Sequence, residues 1–97
     1  MKQSSEVKQK LQEQKLLLIK DYGVKDIGLF GSLIKGSATA SSDIDILVDF
    51  SKPIDLFVFV ELKNYLSDLL NGNVDLVMKR GLKPGIEKRI LAEVEYI

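Results

Sequence analysis

The chain contains no cysteine and no histidine. Without cysteine there can be no disulfides and no thiolate zinc sites, and without histidine there is no imidazole to act as a general base or to assist a nucleophile. Any catalysis must therefore depend on Asp, Glu, Lys, Arg, Ser, Thr or Tyr. The side chains left to bind a metal are carboxylates. Because hard cations prefer oxygen ligands, these residues point to a cation such as Mg²⁺.

The chain also lacks net charge and long hydrophobic runs. Fourteen basic and fourteen acidic residues cancel, so general binding to nucleic acid is not expected. No stretch approaches the ~20 apolar residues of a membrane span, and the first residues lack the apolar core of a signal peptide. We therefore expect a cytoplasmic protein with no membrane association.

The length of 97 residues, 45% of them hydrophobic, suits one small domain spanning residues 1–97. A second domain for holding a small substrate does not fit. Residues 1–4 are expected to be disordered. Helical and extended patterns alternate along the chain, which implies an α/β layer arrangement. The sequence predicts helices at about 5–22, 33–35, 53–71 and from Pro84 onward, and strands at 24–30, 44–50 and 74–78.

Three aspartates lie in or beside the predicted apolar strands. Asp43 and Asp45 are two residues apart, so in a strand they point to the same face and can converge on one or two divalent cations. Asp75 interrupts a later strand. An ionised carboxylate is costly to bury without a partner, and a metal would remove that cost. One such acid could equally be a salt-bridged or edge residue, but three together match a two-metal centre for phosphoryl or nucleotidyl transfer.

The pair Gly31-Ser32 ends the first predicted strand. Glycine lets the backbone approach a phosphate, and the serine adds a hydroxyl donor. As an isolated dipeptide, Gly-Ser is most often a plain turn. The loop is not a Walker motif, because Ser37 and Ala38 replace the required Lys and Ser/Thr.

Charge is unevenly distributed, with a basic segment near the C-terminus. The positive charge of this segment suits the binding of phosphate groups, although an ordinary mixed-charge surface is an equally good interpretation. Between positions 79 and 89 its bases are Lys79, Arg80, Lys83, Lys88 and Arg89, against the single acid Glu87.

Gly31-Ser32, followed after ten residues by Asp43 and Asp45 and later by Asp75, resembles the nucleotidyltransferase superfamily of DNA polymerase β, in particular its minimal single-domain members. The resemblance implies an α/β (α+β) fold with a small mixed sheet of three or more strands flanked by helices. It also implies ATP as nucleotide donor and two Mg²⁺ ions. By this resemblance Asp43 and Asp45 ligate both ions, Asp75 completes the metal site beside the incoming nucleophile, and Gly31 and Ser32 hold the triphosphate.

One stretch departs from the family pattern. Members usually have a small residue shortly after the Gly-Ser pair, where this chain has the bulky Leu33 and Ile34, while Lys35 keeps a basic group.

Minimal members of the superfamily are commonly the antitoxins of HEPN-domain toxins. The resemblance therefore implies transfer of AMP from ATP to a tyrosine hydroxyl of such a toxin, within a hetero-oligomer. Apolar side chains cover most of the helix surface around the predicted α-helical start, namely those of Ile54, Leu56, Phe57, Val58, Phe59 and Val60. This pattern favours burial against a partner, although burial deep in the core would give the same pattern.

Two other functions stay open at this point. The chain could be a nucleotide-binding or inactive antitoxin module that neutralises its partner by contact alone, which the unusual Leu33 and Ile34 favour. Modification of a small molecule is less favoured, because no substrate-binding domain is present.

Overall fold

The computed structural model describes residues 3–39 and 41–97. Four strands form one mixed sheet in the order β3-β2-β1-β4, in which β2 is antiparallel to β1 and parallel to β3, and β4 is antiparallel to β1. The mixed sheet flanked by helices is thus present, with one strand more than the three located in the sequence. The elements are α1 (Ser4–Glu13), α2 (Lys15–Tyr22), β1 (Val24–Phe30), α3 (Ser32–Lys35), β2 (Ile44–Phe50), α4 (Leu56–Leu70), β3 (Val74–Met78), α5 (Pro84–Glu93) and β4 (Glu95–Tyr96).

The two faces of the sheet are covered unequally. Alternation along β2 directs Ile44, Ile46 and Val48 to one face, where they share the main core with α1, α2 and α4. Leu47 lies on the other face and clusters with Phe30 and with Ile90 of α5. Each fully buried leucine contributes roughly 1.5–3 kcal/mol, so the main core dominates stability. The buried residues that α1, α2 and α4 contribute to that core are Val7, Leu11, Leu18, Leu62, Leu66 and Leu70.

The first predicted helix is in fact two helices, α1 and α2. Gln14 separates them with φ −102° and ψ 8°, and its Oε1 accepts a 3.1 Å hydrogen bond from the Tyr65 hydroxyl. Val7 and Leu18 stay buried on either side of the break, so hydrophobic periodicity does not reveal it. Ser4 already belongs to α1, whereas residues 1 and 2, for which disorder was also expected, lie outside the described residues.

Helix α4 begins at Leu56 rather than at Pro53. Asp55 is its N-cap, and Asp55 Oδ1 accepts a 2.9 Å hydrogen bond from the Val58 amide. This bond satisfies one of the amides that have no partner at a helix start. At the other end, Asn71 rather than Gly72 takes the left-handed conformation, with φ 53°.

The C-terminal segment is held against β1, an arrangement that the sequence did not predict. Gly28 pairs with Tyr96 in the β1–β4 ladder, and a Cβ at Gly28 would lie 2.8 Å from Val94 Cγ2. Glycine is therefore required there for β4 to approach. Helix α5 begins at Pro84 as predicted; of its apolar residues, Ile90 is buried, whereas Ile86 and Leu91 are exposed.

No helix among residues 3–39 and 41–97 has the length and apolar character needed to cross a membrane.

Candidate active site

The strand register brings the predicted acids together. Asp45 lies directly opposite Asp75 in the parallel β2–β3 pair. Asp43 is two residues before Asp45 and comes just ahead of β2. All three lie at the sheet edge where β2 and β3 begin. Asp45 and Asp75 share the face that carries α5, since they alternate in register with Leu47 and Val77 of the smaller apolar cluster.

Asp45 is electrostatically crowded. Its pKa is raised above the ordinary value of 3.8, first by burial, then by the charges of Asp75 and Asp43, and further by a hydrogen bond with the Asp75 side chain. A hydrogen bond from the backbone amide of Ser32 acts in the opposite direction. A proton or a cation between these two carboxylates would relieve their mutual repulsion.

The exposed Asp43 is oriented by a residue that sequence reasoning missed. Asn73 Nδ2 donates a 2.9 Å hydrogen bond to Asp43 Oδ1, and the Ile44 amide donates to the Asn73 carbonyl at 2.8 Å. Asn73 lies just before β3. It reaches Asp43 only because β2 and β3 pair in parallel, so no local pattern could have identified it.

The donor set suits a hard cation. Asp43, Asp45 and Asp75 offer only carboxylate oxygens, the ligand type that Mg²⁺ prefers, and the raised pKa of Asp45 reflects excess negative charge that a cation would neutralise. In the part of the chain that the structure describes, no group of three or more Asp, Glu, His or Cys side chains is drawn together tightly enough to enclose a metal. The residues therefore fit Mg²⁺ by their chemistry, with Asp45 and Asp75 already in contact.

The turn at Gly31 is pressed against the acids. Gly31 has φ 77° and ψ −149°, and a Cβ there would lie 2.9 Å from Asp45 Cγ and closer still to Asp45 Oδ2. The next residue, Ser32, opens α3 and gives its backbone amide to Asp45. The structure thus places both predicted nucleotide-binding residues beside the predicted metal ligands.

The bulky residues after this turn are accommodated by the core. Leu33 is buried in the main core, and Ile34 packs against it. Their side chains anchor α3 to the sheet, so their departure from the family pattern does not prevent the turn from meeting Asp45.

Glu93, the last residue of α5, is a second residue that the sequence did not reveal. Its Oε1 accepts a 3.3 Å hydrogen bond from the Gly31 amide, and its Oε2 pairs with Lys35 Nζ at 3.2 Å. An acid at the end of a helix carries no distinctive sequence signal, and this contact joins residues 62 positions apart.

A small polar pocket of about 260 Å³ lies next to Asp43. It is formed where the loop before β2 meets the turn before β3. Its lining comprises Leu33, Ala38, Thr39, Ser41, Ser42, Asp43, Ile44, Asn71, Gly72 and Asn73.

Two residues of the basic C-terminal segment have structural partners. Arg80 Nε pairs with Asp49 Oδ1 at 3.1 Å, which offsets the burial of the Asp49 carboxylate, since that residue is only 8% exposed. The Lys79 ammonium lies over the Tyr96 ring at 5.8 Å. These two contacts brace the fold, so Lys79 and Arg80 are less suited to binding phosphate than the sequence alone suggested.

Comparison with known proteins agrees with this geometry. Residues 6–97 match the family model of polymerase beta, nucleotidyltransferase. The chain belongs to this nucleotidyltransferase family. The enzyme class and the fold class predicted from the acidic triad and the Gly-Ser pair are therefore confirmed.

Three similar proteins cover most of the chain. Protein adenylyltransferase MntA of Thermococcus cleftensis is 48% identical over 92 residues, which span 95% of this chain and 93% of the relative. The solved structure of a candidate minimal nucleotidyltransferase superposes with a TM-score of 0.79 at 34% identity, over 93% of this chain and 92% of that one. A crystal structure of a toxin–antitoxin with AMP-PNP gives a TM-score of 0.72 at 28% identity, over 88% of this chain and 70% of that one.

Proposed function

We propose that the protein is a Mg²⁺-dependent adenylyltransferase that transfers AMP from ATP to a tyrosine hydroxyl of a HEPN-domain toxin and so acts as its antitoxin. The observation that carries this proposal is the direct contact of the Gly31-Ser32 turn with Asp45, which itself contacts Asp75. Phosphate-binding groups and metal-binding groups are thereby adjacent. The adenylyltransferase relative and the toxin–antitoxin structure with AMP-PNP support ATP as the donor and a toxin as the acceptor.

The proposed roles follow from position. Asp43 and Asp45 hold the two Mg²⁺ ions, which neutralise the triphosphate and stabilise the attacking and leaving oxygens when bound. Gly31 and Ser32 hold the triphosphate. Asp75 comes from the neighbouring strand and favours loss of the tyrosine proton. A bond forms between the tyrosine oxygen and the α-phosphorus, and the bond from that phosphorus to pyrophosphate breaks.

The acceptor is proposed to be a protein, in keeping with the relative from Thermococcus cleftensis, which is a protein adenylyltransferase. An exposed apolar surface on α4, made of Leu56, Phe57 and Val60, offers a place for it to dock. Leu56 is 74% and Phe57 81% exposed, and the spacing places all three on one side of the helix. We propose that this α4 surface binds the toxin.

The test is the mass of a co-expressed toxin partner. With the wild-type chain, we expect discrete adenylyl increments on a tyrosine-containing peptide of the toxin. Asp43→Asn should abolish them, because a ligand shared by both ions is lost. Asp68→Asn, which changes an exposed carboxylate on α4, is the matched control and should leave the modification intact.

The opposite result would favour a module that acts by contact alone. In that case the toxin stays unmodified with the wild-type chain, and Asp43→Asn neutralises it equally well. Loss of the increments on omission of Mg²⁺ from the reconstituted reaction separately tests the metal requirement.

A further inference from the structure

Glu93 bridges two groups at opposite ends of α3. One carboxylate oxygen accepts from the Gly31 amide at 3.3 Å, and the other pairs with Lys35 Nζ at 3.2 Å. The Glu93 side chain is only 18% exposed, whereas that of Lys35 is 57% exposed. A single side chain from α5 therefore fixes both the turn that meets Asp45 and the base that follows it.

Without these two contacts, a carboxylate at the position of Glu93 would be energetically unfavourable. Glu93 is the last residue of α5, where the partial negative charge of the helix terminus disfavours an acid. Largely removing its carboxylate from water adds a further cost unless the carboxylate is paired. The Gly31 amide and Lys35 offset both costs, so the bridge accounts for the placement of Glu93.

The bridge also restricts the turn. The consecutive amides of Gly31 and Ser32 donate to carboxylates on different elements, namely Glu93 on α5 and Asp45 on β2. With both peptide groups held, Gly31 is kept at φ 77° and ψ −149°, a conformation open almost only to glycine. Lys35 is drawn toward the same carboxylate, one helical turn further along.

We propose that Glu93 is a positioning residue, which orients the Gly31 peptide and Lys35 so that the turn receives the triphosphate of ATP. This inference rests on the proposed nucleotidyl transfer and assigns Glu93 no contact with the substrate. Release of Glu93 on nucleotide binding would leave its charge unpaired at the negative end of α5. The contact therefore persists in the nucleotide complex, where the turn meets the triphosphate through the Ser32 hydroxyl, and Glu93 does not compete with phosphate.

The experiment is a calorimetric titration of Mg²⁺-ATP into the wild-type chain, Glu93→Gln, Glu93→Ala and Glu87→Gln. Glu93→Ala should weaken ATP affinity by about tenfold, the scale of one charge-assisted contact. Glu93→Gln should lose less, because its amide oxygen still accepts from Gly31. Glu87→Gln removes a charge from the same helix and should match the wild type.

Kinetics and a double variant separate positioning from general destabilisation. Glu93→Gln should raise the KM for ATP and leave kcat nearly unchanged. Adding Lys35→Ala to Glu93→Ala should weaken binding by less than the product of the two single effects, because both act through one ion pair. Melting curves establish which variants are folded. If Glu93→Ala is not folded, the near-isosteric Glu93→Gln provides the test on its own.

The failure modes are distinct. If the wild-type chain does not bind Mg²⁺-ATP, the proposed function itself fails. If it binds and the Glu93 variants bind as tightly as Glu87→Gln, Glu93 has no positioning role. If they bind more tightly than the wild type, Glu93 competes with phosphate and the inference is overturned.

Discussion

At the scale of single residues, the site depends on Gly31 having no side chain. Asp45 can approach the turn closely enough to accept the Ser32 amide only because no Cβ intervenes. The backbone of Gly31 adds a second requirement for glycine, since φ 77° with ψ −149° is a region that glycine almost alone populates. The metal-binding and phosphate-binding halves of the site are thus joined at one backbone position.

Gly31→Ala and Gly36→Ala compare a glycine that lies against Asp45 with one that does not. Both glycines have φ 77°, but ψ is −149° at Gly31 and 14° at Gly36, which is the ordinary left-handed helical conformation, and a Cβ at Gly36 meets nothing within 4 Å. Gly36→Ala should therefore lose about 1 kcal/mol of stability and keep its ATP affinity. Gly31→Ala should lose more stability and also most of its Mg²⁺-ATP binding, because Asp45 must move.

Thermal melts and ATP titrations of both variants provide the check. Equal ATP affinity in Gly31→Ala and Gly36→Ala would show that the close approach of Gly31 to Asp45 is not required for nucleotide binding.

The residues that could be predicted are those whose signal is local. Asp43, Asp45 and Asp75 are anomalous within apolar strands, and the Gly-Ser pair stands at a strand end; the structure brings these residues together, while their catalytic roles stay predictions. Asn73 and Glu93 could not be found in this way. Each contacts the site across strand pairing or helix packing and has no distinctive neighbours in the sequence.

At the scale of elements, β1, β2 and β3 have the predicted bounds. The pattern of β1 alternates, β2 and β3 are short apolar runs apart from their acids, and turn residues follow each strand. The exceptions depend on tertiary contacts. The break at Gln14 interrupts a helix without changing its buried face, and two-residue β4 exists only because it pairs beside Gly28. The Asp55 cap could have been recognised, since Asp is among the preferred N-cap residues.

The α4 surface supports a prediction at the same scale. Phe57→Glu should abolish or weaken toxin binding at least about tenfold, because buried aromatic residues commonly dominate an interface. Leu16→Glu is the control, since Leu16 on α2 is 82% exposed and Phe57 is 81% exposed. Both variants should fold and bind Mg²⁺-ATP as the wild type does.

Co-purification of the toxin with each variant measures the effect. A stable complex with Phe57→Glu would exclude the α4 surface as the docking site. If Leu16→Glu lost the complex while Phe57→Glu kept it, the toxin would bind at α2 instead.

At the scale of the whole molecule, the face of the sheet that carries the site is the one that contributes less to stability. One face of the sheet is covered by α1, α2 and α4, whereas α5 covers the other around Leu47. That thinner covering lies on the face that carries Asp45 and Asp75. It also leaves carboxylates crowded at a sheet edge, where the raised pKa of Asp45 indicates that its ionisation is less favourable than that of a free carboxyl group.

Asp45→Asn should therefore stabilise the metal-free protein near neutral pH. Because the folded-state pKa of Asp45 is raised above 3.8, its favourable contribution is fully present below 3.8 and is lost as pH rises through the raised value. Asn removes the repulsion and keeps an oxygen that can accept the Ser32 amide. In EDTA, the melting temperature of Asp45→Asn should exceed that of the wild type by a few degrees at about pH 8, and by less at about pH 4.

Glu61→Gln, which removes an exposed charge from the middle of α4, controls for the change in net charge and should show no such pH-dependent gain. Mg²⁺ with ATP should reverse the order, since binding stabilises the wild type and the variant lacks a metal ligand. A wild-type chain that is more stable than Asp45→Asn at pH 8 in EDTA would mean that the carboxylate is compensated by the fold itself. The acidic cluster would then be a structural network that needs no cation, and the assignment of Asp45 as a metal ligand would lose its physical basis.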